Sequence, residues 1–145
     1  MLRKTAIGFI LIVLSFSACQ DYEHGPLLSF KSAEERLVNV WAVCFVQNTA
    51  TNQELTAQLV AANYRLAIFI NGEFEVSWND TSANTIQGSW TLQENDTKVA
   101  WTFSGTDRIG IVGQNGSITE ITRLKRNELW LKTSVNALEF QFVLE

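Results

Sequence analysis

Few side chains in this 145-residue chain could do covalent or acid–base chemistry: there are two cysteines, Cys19 and Cys44, and one histidine, His24. Cys19 ends an apolar leader in "SFSACQDYEHG", Ser15 to Gly25, where a thiol offers a nucleophile for thioether formation. Cys44 lies inside "VNVWAVCFVQ", and its apolar neighbours predict a buried, inert thiol. His24 follows Cys19 closely, in a polar run ahead of the strand-forming part of the chain. No Ser-His-Asp or Cys-His arrangement and no histidine-based metal site can therefore be built within that part. Glu73 and Glu75 point the same way from one alternating run, as paired carboxylates would, but core residues alternate with them and a solvated outer face explains them better. "GIVGQNG", with Gly110, Gly113 and Gly116, lacks the Lys and Ser/Thr that a phosphate loop needs, whereas a turn needs glycine anyway. The expectation is a chain that is not an enzyme, with no catalytic residue, metal ligand or cofactor.

The leader itself is informative. Arg3 and Lys4 precede the apolar run "AIGFILIVLSF", Ala6 to Phe16, and the small pair Ser17 and Ala18 stands before Cys19. A positive start, an apolar middle and small residues at the cut make a secretory signal. The run is well short of the roughly 20 residues that a membrane-crossing helix needs. Phe16-Ser17-Ala18-Cys19 resembles the lipobox of bacterial lipoproteins, which implies that Cys19 becomes the first mature residue and carries acyl chains, palmitate among them. Each buried methylene contributes about 0.8 kcal/mol, so several chains anchor a protein durably. Gln20, Asp21 and Glu23 resemble the acidic export signal that follows the cysteine in Bacteroidetes lipoproteins. The implied address is the outer membrane, on its periplasmic side or at the cell surface.

The expected organisation is a signal peptide over 1–18, an acylated cysteine and tether over 19–31, and one domain over 32–145. Loss of residues 1–18 removes Arg3 and Lys4 and no acid, leaving nine basic against fifteen acidic side chains, a formal charge of −6 on 127 residues. Such a domain repels nucleic-acid phosphates, and no basic stripe with interleaved aromatics offsets this, so nucleic acid is not an expected partner. With Cys19 consumed by lipid, Cys44 has no partner for a disulfide.

Strands must position whatever site exists. Ser32 and Glu35 in "SAEERL" form a capping box ahead of a short helix, followed by a strand around Val38 to Gln47. Thr51 and Glu54 repeat the box in "TNQELTAQLVAAN", which predicts a second short helix with Leu55, Leu59 and Ala62 on one face. From Tyr64 the period becomes two, and Asn71-Gly72 in "YRLAIFINGEFEVSW" signals a hairpin whose two turn residues take positive φ. Further strands are predicted at Thr85 to Gln93, Lys98 to Ser104, Arg108 to Val112, Ser117 to Leu124, Leu129 to Ser134 and Leu138 to Leu144. "ENDT", "GTD", "QNG", "KRN" and "VNA" separate them. Asn79-Asp80-Thr81 and Asn95-Asp96-Thr97 match the glycosylation acceptor pattern and are read as turns. The inner face takes Phe74, Val76 and Trp78; Trp90 and Leu92; Val99, Trp101 and Phe103; and Leu138, Phe140, Phe142 and Leu144. About eight or nine short strands suggest an all-β antiparallel meander closed as a barrel or flattened sandwich, with one or two short helices.

Trp41 after a short helix, "LAIFINGEFEVSW", "GSWTL", "ENDTKVAWTF", "ITRLKRNELWLK" and a last aromatic strand together resemble the lipocalin-like domain of small Bacteroidetes lipoproteins, over nearly all of the chain from Ser32. That family's first strand commonly carries Gly-x-Trp; here Asn39 holds the glycine position before Trp41. The resemblance implies a lipocalin-like barrel and a possible small hydrophobic ligand. Trp78, Trp90, Trp101, Phe103, Phe140 and Phe142 would then line the ligand site or form the core. The alternative is a filled barrel serving as a structural or protein-interaction module at the membrane, because bulky inward rings use up the interior of an eight-stranded barrel. Residues 48–63, the longest connection between strands, are the candidate gate.

Overall fold

The computed structural model describes residues 31–79, 84–105, 115–133 and 137–145. It shows a closed eight-stranded antiparallel barrel, one added edge strand and two short helices. The elements in chain order are α1 (Ala33–Leu37), β1 (Val40–Asn48), β2 (Gln53–Glu54), α2 (Thr56–Ala61), β3 (Arg65–Ile68), β4 (Glu73–Ser77), β5 (Thr85–Gln93), β6 (Lys98–Phe103), β7 (Ile118–Leu124), β8 (Glu128–Thr133) and β9 (Leu138–Leu144). Neighbours pair as β2-β1-β3-β4-β5-β6-β7-β8-β9, and β1 also pairs with β9, which closes the ring. That seam runs from Trp41 opposite Leu144 to Asn48 opposite Leu138.

Helix α1 begins as its capping box requires: Ser32 Oγ accepts from the Glu35 N–H at 3.1 Å, and the Ser32 N–H donates to Glu35 Oε2 at 2.9 Å. Its Ala33 and Leu37 are buried, and Arg36 donates through Nη1 to the Leu124 carbonyl at 2.8 Å, fastening the helix to the end of β7. The Trp41 indole N–H donates to the Leu37 carbonyl at 2.8 Å, so the first strand satisfies an acceptor that the helix C-terminus leaves open.

The second helix forms, but without the expected box. Gln53 and Glu54 pair with Asn48 and Gln47 as β2, and α2 starts after Leu55 with no side-chain cap. Thr56 takes the positioning role instead: its Oγ1 accepts from the Val46 N–H at 3.1 Å and donates to the Val46 carbonyl at 3.4 Å. Edge pairing to β1 consumes the residues that the Thr51–Glu54 spacing assigned to a helix start.

The hairpin at Asn71-Gly72 is present with a different loop. Gly72 N–H donates to the Phe69 carbonyl at 3.2 Å, Phe69 N–H donates to the Glu73 carbonyl at 2.9 Å, and Gly72 alone takes a left-handed φ, +83°. This is the longer turn-plus-bulge loop, and not the two-residue turn in which both residues have positive φ. Asn71 contributes through its side chain, whose Oδ1 accepts from the Glu73 N–H at 3.0 Å. The "ENDT" turn joins β5 and β6 through Glu94, Asn95 and Asp96, all at positive φ.

Two bulges curl the wall. In β1 the register steps past Cys44, and in β7 it steps past Thr122. Each adds one residue to its strand, so the buried set runs Trp41, Val43, Val46 in β1 and Thr119, Ile121, Leu124 in β7. The expected strand Arg108 to Val112 lies outside the described residues, and β6 pairs directly with β7.

Candidate functional site

Five of the six candidate rings are buried in the barrel core: Trp101, Phe140 and Phe142 are 0% exposed, and Trp90 and Phe103 are 5% exposed. Trp78 is half-buried just beyond β4, stacked on Tyr64 with centroids 6.3 Å apart and 14° between the planes. The alternation along β4, β6 and β9 aims the buried rings inward, where Phe74 meets Trp101 edge-on at 4.9 Å and Phe103 edge-on at 6.2 Å. Phe140 and Phe142 stack 6.1 Å apart along β9. Edge-to-face and offset contacts of this kind add stabilisation beyond burial. Indole donors are matched: Trp101 Nε1 donates to Thr119 Oγ1 at 2.7 Å, and Trp90 Nε1 donates to the Phe69 carbonyl at 3.1 Å.

Gly88 lets these rings meet. A Cβ there would lie 2.2 Å from the Thr102 carbonyl oxygen, 2.7 Å from Phe103 Cβ and 2.8 Å from Phe74 Cε1. Gly88 opposes Phe74 on one side and Phe103 on the other, so the missing side chain admits the two rings across β5.

Two hollows lined by described residues touch two of the candidate rings, the first Phe103 together with Phe74, the second Trp90. One of about 570 Å³ spans the outer face of β4, β5 and β6, bordered by Glu73, Glu75, Gln87, Ser89 and Thr102, and it opens to solvent. Another of about 290 Å³ sits beside Ser32, Gly72, Trp90 and Asp96. Neither reaches Trp101, Phe140 or Phe142. Glu73 and Glu75 border the first hollow on the outer face, each held by an amide: Asn71 Nδ2 donates to Glu73 at 2.7 Å and Gln87 Nε2 to Glu75 at 2.7 Å.

Residues 48–63 wrap the barrel end opposite α1. Leu59 of α2 is buried, Tyr64 N–H donates to the Leu59 carbonyl at 3.1 Å, and Asn79 N–H donates to the Ala62 carbonyl at 2.6 Å. The same end holds Thr119 and Thr133, a directly opposed cross-strand pair that is 1% and 4% exposed. Sequence reasoning left out this threonine pair and also Trp41 and Tyr64. Trp41 and Tyr64 could have been found from the alternation that starts at each of them. The threonines carry no signal of their own.

Two expectations are corrected. Cys44 is exposed, because the bulge in β1 turns its side chain out of the core. Its Sγ donates to the Gln141 carbonyl at 3.2 Å, and partial desolvation pushes the thiol pKa up, with the nearby Glu128 carboxylate adding to the shift. The bulge therefore sets its exposure, and the raised pKa favours the protonated thiol over the nucleophilic thiolate. Leu144 is 40% exposed where the alternation put it inside, since it pairs on the last rung of the β1–β9 seam, at the barrel rim. Cys19 and His24 lie outside the described residues. Among the described residues no three of His, Cys, Asp and Glu gather as a metal-binding group. No described helix is long and apolar enough to cross a membrane.

Searches of family models and of curated proteins find no match. Solved structures do match. A lipocalin-like protein from Bacteroides uniformis superposes with a TM-score of 0.57 at 13% identity, over 76% of this chain and 99% of its own. The fold is lipocalin-like. A DUF4847 family protein from Bacteroides vulgatus matches with a TM-score of 0.52 at 16% identity, covering 77% of this chain and 96% of its own. An uncharacterized protein from Bacteroides eggerthii gives 0.50 at 11% identity, covering 74% and 98%. Identities this low carry the lipocalin-like architecture and leave function to the residues.

Proposed function

We propose that the chain is a lipid-anchored, non-catalytic module of the bacterial outer membrane, acting through the outer surface and ends of a lipocalin-like barrel whose core is filled. One observation carries this reading: Trp101, Phe140 and Phe142 are 0% exposed, so no solvent-sized space adjoins these three rings. The barrel interior is taken by Trp41, Tyr64, Phe74 and Leu66 together with those rings. Anchoring rests on Cys19 and its leader, and the outer-membrane address on Gln20, Asp21 and Glu23.

A second reading is favoured by Trp78, which is half-buried and stacked on Tyr64 at the α2 end, the same end as the buried Thr119–Thr133 pair. A small apolar ligand carrying one polar group would be held there, at the mouth rather than along the axis. Native mass spectrometry of residues 21–145, purified gently from bacterial cells, separates the two. The filled-core reading expects an unliganded mass with no shift on incubation with fatty acids. A bound mass of a few hundred daltons that leaves on denaturation would replace it with the carrier reading.

A further inference from the structure

Seven large apolar residues among the described ones are at least 40% exposed, and their placement is lopsided: Val40, Phe69, Ile70, Val143 and Leu144 lie at the α1 end of the barrel, while Val60 and Ile118 lie at the other. Strand register sets the five on neighbouring strands, with the Arg65–Glu145 ion pair crossing β1 between Val40 and Val143. Val40 pairs with Ala67 of β3, whose strand runs on into the Phe69–Gly72 loop, and Ala42 and Trp41 pair with Val143 and Leu144 across the seam. Ile70 projects furthest, 67% exposed at the loop tip, with Phe69 beside it at 43%.

The chain enters the barrel at this same end. α1 is the first described element, and it is fastened there through Arg36 to Leu124 and through Leu37 to Trp41. Only 11 residues lie between Cys19 and Lys31, a reach of at most about 40 Å at full extension. A barrel tethered through α1 keeps its α1 end within that reach of whatever holds the tether. An exposed apolar patch at that end is costly in water and is relieved by an interface of matching chemistry.

We propose that the patch formed by Phe69, Ile70, Val40, Val143 and Leu144 rests on the lipid surface, with the Phe69–Ile70 loop tip entering the headgroup region. This extends the anchoring reading and rests on it for the orientation. The tip would act as a second, reversible membrane contact that holds the α2 end away from the bilayer.

The test uses the full chain processed in bacterial cells and reconstituted into phosphatidylcholine–phosphatidylethanolamine vesicles. A single cysteine, Ile70→Cys or Val60→Cys in a Cys44→Ser background, carries a polarity-sensitive fluorophore. The expected result is a blue shift and loss of fluorescence at 70 on adding nitroxide-labelled lipid, with neither change at 60. Equal responses at both positions, or a water-like probe at 70, would overturn the proposal. So would a blue shift at 70 without lipid quenching in protein that migrates as a dimer, because a second copy would then cover the patch. Phe69→Ser with Ile70→Ser should abolish lipid quenching of a probe at 143 while circular dichroism is unchanged; quenching that persists would overturn the insertion of the tip. The mass of the mature chain reads acylation of Cys19 separately. An unmodified Cys19 would sink the anchor, whereas the orientation is still read by adding Cys19→Ser, Cys44→Ser protein labelled at 70 or 60 to the same vesicles.

Discussion

Gly88 shows how a single position can decide whether this core closes. Alanine there would push a methyl group to 2.2 Å from the Thr102 carbonyl, which is backbone and cannot swing away. Gly88→Ala is expected to cost about 1–3 kcal/mol, the usual range for overpacking, read as a lower urea midpoint with an unchanged slope. In the sequence, Gly88 was visible only as part of "GSWTL"; that Phe74 and Phe103 converge on it depends on three strands meeting. Cys44 makes the opposite point. Its neighbours Val43 and Phe45 suggested burial, yet one extra residue in β1 turns it outward. A bulge inserts into a register that exists only once the partner strand is in place.

At the scale of elements, local chemistry was a good guide where the signal is satisfied within a few residues. The Ser32–Glu35 box closes over three residues and needs no tertiary partner. The same pattern at Thr51 and Glu54 does not cap α2, because β1 offers a pairing edge that competes for those residues. The two sites should respond differently to the same change. Ser32→Ala is expected to lower stability by about 0.5–2 kcal/mol, and Thr51→Ala by less than about 0.5 kcal/mol, both measured by thermal or urea unfolding. Equal losses would mean that the Thr51 box does cap a helix in solution. The Asn71-Gly72 loop follows the same logic: the position of the hairpin was legible, while its loop length depended on the bond from Phe69 to Glu73.

For the whole molecule, the decisive quantity is how completely the barrel is filled. Phe142 is fully buried on the closing strand, opposite Val43 and Leu129 and stacked on Phe140. If it is a packed core residue, Phe142→Ala should cost about 3–5 kcal/mol. A residue lining a ligand-sized hollow would lose far less, so a small change in unfolding free energy would count against the filled core. By itself, the sequence determined an all-β antiparallel chain, most strand positions, the inward faces of β4, β6 and β9 and the first helix cap, because a period of two and a capping box are set by neighbouring residues. The tertiary structure alone decided the closure of β1 on β9, the two bulges, the exposure of Cys44 and Leu144, and the gathering of exposed apolar residues at the α1 end. These depend on which residues lie opposite one another across strands far apart in the chain, and no short-range pattern encodes that register.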